Sequence, residues 1–227
     1  MSYENNYGLL KLAAELLGSL SKDLVFVGGS TTCLYVDPEM SDDLRPTEDV
    51  DCVIQAYSMK EYRKLEKELR AKGFVNDTRK NAPICRFVYG EALTLDVMPD
   101  NKDILGFSNS WYSPGIENKV QVRIDEYEIS IFSLPYFLAS KFEAFEGRGK
   151  SDPRFSTDLE DIVTVIDGVK EFKLNNLSDD LSSYLSDMSK YSLNDLLAQE
   201  AINGFLGDPD RIAGLNKRLK ILESLKL

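Results

Sequence analysis

A chain of 227 residues with 43% hydrophobic and 29% charged residues can bury a substantial core, which excludes wholesale disorder. It contains no histidine, which excludes Ser-His-Asp and Cys-His catalysis, a histidine general base and His-ligated zinc. The formal net charge of −11 argues against a protein that coats nucleic acid, because neutralising phosphates needs a basic surface.

The sequence also lacks the patterns of a targeting segment, a membrane span and a cysteine-based site. The start of the chain lacks a signal-peptide pattern, and no apolar run approaches the roughly 18 residues of a spanning helix, so we expect a cytoplasmic protein without membrane contact. Cys33, Cys52 and Cys85 are odd in number and have no C-x-x-C spacing. They are predicted to be buried thiols, with neither a disulfide framework nor a zinc site.

The first part of the chain alternates helix and strand patterns. Apolar residues at helical spacing predict a helix over 7–20, and a short apolar run predicts a strand over 24–27. Gly28 and Gly29 end that strand, and a helix is predicted to start over 30–35. The next predicted elements are a loop over 36–48, a strand over 50–55, and a helix over 58–72 capped by Ser58 with Glu61.

Two hairpins follow. Strands over 85–89 and 92–98 are predicted to turn at Gly90-Glu91, and strands over 119–124 and 127–132 at Asp125-Glu126. Between them lies the aromatic loop GFSNSWYSP at 106–114. Its tryptophan, Trp111, is predicted to pack in the core, with stacking on a base as the alternative.

Strand patterns stop at Leu134, and the rest of the chain is predicted to be helical. Helices are expected over 135–145 and over 157–166, the second opened by a Thr157/Glu160 capping box. Three more are expected near 178–188, 192–206 and 209–225. The strand and helix patterns therefore predict an α+β fold, with a first domain over 1–133 and an all-helical domain over 134–227.

The turn Gly28-Gly29-Ser30 is a candidate phosphate site. Glycines without Cβ atoms let a phosphate approach the backbone, and a helix start directs N–H groups at it. Ser30 adds a hydroxyl donor, and Thr31 follows it. An ordinary strand-to-helix turn is the alternative, and the spacing matches neither a Walker loop nor the Rossmann fingerprint.

Three aspartates form a candidate metal site. Asp49 and Asp51 are two residues apart on a strand, so both carboxylates project from one face and repel each other unless a cation is bound. Hard oxygen ligands favour Mg²⁺ or Mn²⁺. If the strand that carries Asp96 lies alongside, three acids could hold two ions. For Asp96, the alternative is an exposed face of an edge strand.

This order of strand, Gly-Gly-Ser turn, Asp-x-Asp strand and later strand aspartate resembles the nucleotidyltransferase superfamily with the polymerase-β-like core. Residues 141–161 narrow the resemblance to the AbiEii/AbiGii toxin branch, which includes the MenT-like toxins. The residues that carry it are Lys141, Arg148, Asp152, Asp158 and Asp161. One position departs from that pattern, since Thr157 stands where a lysine often precedes the first aspartate.

The resemblance implies that residues 1–133 form a core with a mixed sheet and flanking helices, and that residues 134–227 complete the active-site cleft. It also implies roles for individual residues. Lys141 would contact the nucleotide phosphates, and Asp158 would help complete the site. From the residues alone, Lys141 could instead be a flank with its head in water, and Asp158 a residue placed by the helix dipole. Arg148, between two glycines, could bind a phosphate or RNA, as could Arg45 and Thr47.

The implied activity is metal-dependent transfer of a nucleoside monophosphate from a nucleoside triphosphate to an acceptor hydroxyl, with release of pyrophosphate. By the resemblance, the acceptor would be a tRNA 3′ end or a protein, and the protein would be a toxin with a cognate antitoxin. Two alternatives stay open: a small-molecule nucleotidyltransferase of the aminoglycoside-modifying kind, and a non-catalytic nucleotide-binding module of the same fold.

Overall fold

The computed structural model describes residues 2–175 and 177–226, and it divides the chain into two compact units. The first unit comprises Met1–Leu34 and Arg45–Ser133. The second comprises Tyr35–Leu44 and Leu134–Leu227. The division predicted at residues 133 and 134 leaves Tyr35–Leu44 in the first domain, whereas in the structure this segment groups with the second unit.

The first unit is built on a mixed seven-stranded sheet. Its strands are β1 (Val25–Val27), β2 (Asp49–Ile54), β3 (Val75–Asn76), β4 (Arg86–Tyr89), β5 (Leu93–Pro99), β6 (Lys119–Ile124) and β7 (Tyr127–Phe132). They lie in the order β3-β4-β5-β2-β1-β7-β6. β1 is parallel to β7 and β2 is parallel to β5, whereas the other pairings are antiparallel. With its flanking helices, this sheet confirms the predicted α+β fold.

Four α-helices accompany the sheet within the described part of the first unit: α1 (Ser2–Leu17), α2 (Met59–Ala71), α3 (Lys102–Leu105) and α4 (Tyr112–Glu117). The predicted cap of α2 is confirmed, because the Ser58 hydroxyl accepts the Glu61 N–H and the Glu61 carboxylate accepts the Tyr57 N–H. The aromatic loop is shorter than predicted, since α4 begins inside it. Trp111 is half-buried there instead of lying fully in the core.

The segment after β1 differs from the prediction. Instead of an α-helix start over 30–35, a six-residue 3₁₀-helix runs over Gly29–Leu34. Another 3₁₀-helix, Gly18–Asp23, lies before β1. A 3₁₀-helix of this length is a tight connector, so its dipole offers less to a phosphate than the predicted α-helix would.

Strand alternation separates a buried sheet face from the face that carries the acids. Val50 and Cys52 on β2 lie beside Leu95 and Val97 on β5, and all four are fully buried. The residues between them therefore project to the other side of the sheet. Burial alternates over Asp49–Cys52, as expected for both aspartates on one face, and stops alternating at Val53, which is also buried.

The first hairpin has a different register from the one predicted. Tyr89 pairs with Leu93, so the connection contains three residues and not the two of a Gly90-Glu91 turn. A shift of one residue turns every side chain of a strand to the other face relative to its partner. In the observed register Arg86 lies opposite Asp96, whereas a two-residue turn would have placed it opposite Leu95.

The second unit is helical. It contains α5 (Leu134–Arg148), α6 (Thr157–Gly168), α7 (Asp179–Asn194), α8 (Leu196–Leu206) and α9 (Pro209–Glu223), with 3₁₀-helices at Pro38–Asp43, Pro153–Phe155 and Ser224–Lys226. The predicted capping box of α6 is wrong by one position, since Ser156, not Thr157, accepts the Leu159 N–H. None of the helices in the described residues is both long and apolar enough to cross a membrane.

The segment Tyr35–Leu44 is tied to the end of α6. Val36 forms an isolated β-bridge with Val169, and the Asp37 N–H donates to the Gly168 carbonyl over 2.9 Å. The Cβ-free face of Gly168 lies against the Val36 side chain, because a Cβ there would come within 2.6 Å of a Val36 methyl. Residues far apart in the chain thus complete one packing unit.

Candidate functional site

The three predicted acids lie together on β2 and β5. In the parallel pairing of these strands Asp51 is directly beside Asp96, and Asp49 is two residues earlier on the same face as Asp51. Asp96 is buried, whereas the Asp49 side chain keeps 35% of its surface exposed. The strand arrangement that the sequence left conditional is therefore present.

Gly28 makes a close approach to Asp51. Its φ is +76°, and a Cβ built there would lie only 2.0 Å from a carboxylate oxygen of Asp51. A residue with a side chain would be strained at that φ and would collide with the acid. Only glycine lets the turn after β1 lie against the carboxylate.

Ser30 carries an unused polar atom beside this turn. It is 99% buried, and its hydroxyl oxygen has no hydrogen-bond partner, a state shared with only two other buried side-chain atoms in the described residues. Buried hydroxyls are normally paired, so an orphan invites a ligand or water. The neighbouring hydroxyls are occupied, since Thr31 donates to the Gly28 carbonyl and Thr32 to the Gly29 carbonyl.

Arg86 is a site residue that the sequence did not single out. Its Nε and Nη2 donate to both carboxylate oxygens of Asp96 at 2.8 and 2.7 Å, and Nη2 also donates to Asp49 at 2.7 Å. Such a two-pronged pair is the strong form of an arginine–carboxylate contact. The hydrogen bonds with Asp96 raise the pKa of the Arg86 guanidinium above its ordinary value, and the charges of Asp49 and Asp51 act in the same direction.

The residues fit a hard divalent cation in their donor chemistry. Carboxylate oxygens are the ligands that Mg²⁺ and Mn²⁺ prefer, and the turn that lies against Asp51 also carries the orphan hydroxyl of Ser30. Among the side chains that the structure describes, no three of His, Cys, Asp or Glu are grouped so that they could hold a metal ion. In this arrangement the guanidinium of Arg86 holds two of the three acids.

The loop that leads into β2 is held by the first helix. Asn6 of α1 is fully buried, and its amide donates to the Arg45 carbonyl and accepts the Thr47 N–H, each over 3.0 Å. The Thr47 hydroxyl also lies 3.3 Å from the Asn6 amide oxygen. Thr47, which the sequence offered as a candidate phosphate ligand, is therefore bound by Asn6 of α1. This contact helps to fix the start of β2 and hence Asp49.

A polar cavity of about 400 Å³ opens beside the acids. Asp49, Arg86 and Thr94 line one side, and Asp77 and Arg79 belong to the loop that lines the other. Arg79 is paired with Asp77 through its Nε and Nη2. Asp49 is thus accessible from solvent through this cavity, whereas Asp96 is buried behind it.

The thiols are not candidates for nucleophiles. All three cysteines are free and buried, as predicted. Burial raises the pKa of Cys33 and of Cys85 to about 12, and it raises that of Cys52 well above its ordinary value. They remain protonated at neutral pH and serve packing.

The second unit contains an ion cluster made of four of the five residues to which the resemblance pointed, whereas the fifth, Asp152, pairs with Arg154. The Lys141 ammonium lies 2.6 Å from Asp161 and 3.2 Å from Asp158, and all three side chains are at most 8% exposed. Arg148 donates to both oxygens of Asp158 at 2.6 and 2.8 Å, while its side chain remains 70% exposed. The alternative that Lys141 keeps its head in water is wrong.

Electrostatics in this cluster favour the charged form of Asp158. Burial acts to raise the pKa of this carboxyl, but the hydrogen bonds from Arg148 and the charge of Lys141 outweigh burial and lower it. Asp158 and Asp161 are three residues apart on α6 and so share one helix face, and both contact Lys141. The cluster brings these residues together within the helical unit.

Comparisons with known proteins add a likeness of fold. No family model and no curated protein matches this sequence. An antigenic nucleotidyltransferase-like protein from Paracoccidioides brasiliensis is similar in structure at a TM-score of 0.52 and 20% identity, over 92% of this chain and 99% of that one. A candidate nucleotidyltransferase from H. pylori is similar at a TM-score of 0.50 and 16% identity, over 98% and 95%. The chain therefore has a nucleotidyltransferase-like fold.

Proposed function

We propose that the protein is a metal-dependent nucleotidyltransferase, which moves a nucleoside monophosphate from a nucleoside triphosphate to an acceptor hydroxyl and releases pyrophosphate. The observation that carries this proposal is the placement of Asp49, Asp51 and Asp96 side by side on β2 and β5. The turn Gly28-Gly29-Ser30 lies against Asp51 and carries the unpaired Ser30 hydroxyl. The likeness to solved nucleotidyltransferase-like structures supports the fold that such chemistry needs.

The residues divide the task by their chemistry. Asp49 and Asp51 would hold Mg²⁺ or Mn²⁺, and Asp96 would serve as a third ligand or as the base that orients the acceptor hydroxyl. Gly28 and Gly29 let phosphates lie against the backbone, and Ser30 donates a hydrogen bond to a phosphate oxygen. When bound, the cation supplies positive charge for the transferred phosphoryl group and acidifies the acceptor hydroxyl.

The resemblance extends the proposal to a biological role. The protein would act as a toxin of a toxin–antitoxin or abortive-infection system, with a tRNA 3′ end or a protein as acceptor and an antitoxin as partner. Lys141 and Asp158 remain predicted nucleotide-phosphate residues. Because they share one ion cluster with Asp161 and Arg148, their variants should be assayed as a group.

A labelled-nucleotide transfer assay tests the proposal. Purified protein is incubated with each α-labelled nucleoside triphosphate and Mg²⁺ or Mn²⁺, in separate reactions with total tRNA, cell protein and an aminoglycoside. We expect label in one macromolecular acceptor, release of pyrophosphate and loss of transfer in EDTA. Label in the aminoglycoside alone would select the small-molecule alternative.

Asp51→Asn is the decisive variant, because it keeps the shape of the side chain and removes one metal-binding charge. We expect transfer to fall at least about 100-fold, the scale at which a lost group for metal or transition-state charge acts. Asp103→Asn removes an equal charge from an exposed helix position in the same unit and should leave transfer unchanged. Full activity of Asp51→Asn would contradict the proposal.

A second candidate is a non-catalytic nucleotide-binding module, and the Arg86 pairing favours it. A guanidinium that permanently holds Asp49 and Asp96 would stand in for a metal and leave no catalyst. Saturable nucleotide binding without transfer, with every nucleotide and acceptor and with either metal, would select this function.

A further inference from the structure

Arg86 occupies the position at which metal-binding acids would meet their cation. Its guanidinium contacts Asp96 through two nitrogens and Asp49 through one, at 2.7 to 2.8 Å. Those oxygens cannot at once accept these hydrogen bonds in the same directions and ligate a metal ion. The proposed catalytic metal and Arg86 therefore have overlapping partners.

We infer that Arg86 is a built-in competitor of the divalent cation: it holds Asp49 and Asp96 in the metal-free protein and must release them when metal binds. The inference rests on the proposed metal-dependent function. It assigns Arg86 as a positioning residue that sets metal affinity and keeps the acid cluster folded in the absence of metal.

The backbone makes this exchange a side-chain movement. Arg86 is fixed opposite Asp96 by the antiparallel pairing of β4 and β5, so its Cα cannot leave the site. Its side chain is 23% exposed and lines the cavity of about 400 Å³ beside Asp49. The displaced guanidinium can therefore move into this cavity, whose wall includes Asp77, already paired with Arg79.

Charge explains why a divalent cation can displace the Arg86 guanidinium from the carboxylates. Within the cluster one guanidinium faces three carboxylates, so the charges of the acids remain incompletely balanced. A divalent cation brings more positive charge in a smaller volume and binds carboxylate oxygens directly. Metal binding must first break the partly buried ion pair of Arg86 with Asp96 and Asp49, which costs free energy. The metal should therefore bind more weakly than it would to the same acids without Arg86.

The test is Mn²⁺ binding at pH 7.5, measured from the loss of the free Mn²⁺ signal in electron paramagnetic resonance. Wild-type protein is compared with Arg86→Gln, which keeps a polar side chain but removes the charge and the two-pronged pair. We expect Arg86→Gln to bind Mn²⁺ at least about tenfold more tightly, since hydrogen bonds to charged groups must otherwise be broken. Arg86→Lys keeps the charge with poorer geometry and should lie between the two.

Arg79→Gln is the matched control, because Arg79 lines the same cavity but is paired with Asp77. It should change Mn²⁺ affinity by less than about threefold, the effect of a nearby charge alone. Thermal unfolding gives an independent readout. In EDTA, Arg86→Gln should melt below wild type, and saturating Mn²⁺ should raise its melting temperature by more than it raises that of wild type.

The outcomes separate the two claims. Equal or weaker Mn²⁺ binding by both Arg86 variants, beside clear binding by wild type, overturns the role of Arg86 and leaves the proposed function standing. An equal gain in affinity for Arg79→Gln also overturns it, because a general charge effect would then suffice. Absence of Mn²⁺ binding by wild type and all variants overturns the metal-dependent function and this inference together.

Discussion

At the scale of single residues, Gly28 is the most constrained position of the candidate site. It combines a left-handed backbone with a carboxylate oxygen where its Cβ would be. Either constraint alone selects glycine, but only the second one concerns chemistry. The turn can therefore be tested for function apart from its strain.

Gly28→Ala should lose both stability and metal binding. The strained φ should cost about 1–3 kcal/mol in the free energy of unfolding, and the new methyl should displace the Asp51 carboxylate. Gly90→Ala is the control, since Gly90 has φ +56° with no atom within 4 Å of its Cβ position. It should lose stability by a similar amount and keep the wild-type Mn²⁺ affinity. Wild-type affinity in Gly28→Ala, measured by the same resonance titration, would refute the role of the turn.

Arg86 illustrates which residues a sequence reveals and which it does not. Asp49 and Asp51 could be predicted to share a face because strand alternation is local, and Asp96 could be suspected because it stands among apolar residues. Arg86 becomes a partner of Asp96 only through a three-residue hairpin connection. Reading the connection as two residues puts Arg86 across from Leu95, and the ion pair disappears. The number of residues in this one connection therefore decides whether the Arg86 guanidinium lies among the acids.

At the scale of elements, the Lys141 cluster joins α5 and α6 through buried charge. Removing one partner of a buried ion pair leaves an uncompensated charge, which is more costly than the pair is worth. Asp158 has the greater consequence, because it faces both Lys141 and Arg148. The packing of these two helices should therefore depend on pH.

Asp158→Asn should destabilise the protein by about 3–5 kcal/mol at pH 7. Because the folded-state pKa of Asp158 is lowered, its contribution is fully present above the unfolded-state pKa near 4 and is lost as pH falls through the lower folded value. The difference between wild type and variant should therefore shrink below about pH 4. Urea unfolding curves at pH 7 and pH 3 measure it. Asp152→Asn, which removes an exposed pair with Arg154, should show a much smaller difference at both values. A difference for Asp158→Asn that is the same at both pH values would show that charge is not its cause.

At the scale of the whole molecule, local patterns predicted the elements and not their grouping. Periodicity and caps, which involve residues close in sequence, predict six of the seven strands and the helices after Leu134, but not β3, α3 or the order of the strands in the sheet. Tyr35–Leu44 contains two of the signals of a loop, proline and clustered acids, and nothing in it indicates that Val36 pairs with Val169. Only the folded chain brings these residues together, so the assignment of this segment to the helical unit could not be read from the sequence.

This long-range packing predicts a coupled pair of substitutions. Gly168→Ala should cost about 1–3 kcal/mol, because its methyl would lie 2.6 Å from a Val36 methyl in a packed region. Val36→Ala removes the obstructing methyls and costs the burial that they provided. The double variant should then be more stable than the sum of the two losses, by a coupling of about 0.5–3 kcal/mol in a double-mutant cycle from urea unfolding.

Gly214→Ala in α9 is the control for the cycle, because nothing lies within 4 Å of its Cβ position. It should raise stability slightly through better helix propensity and combine additively with Val36→Ala. Strict additivity of Val36→Ala with Gly168→Ala would mean that the two positions do not touch. Coupling, in contrast, ties the folding of the helices to a stretch of chain that lies between the glycine turn and the acid strand.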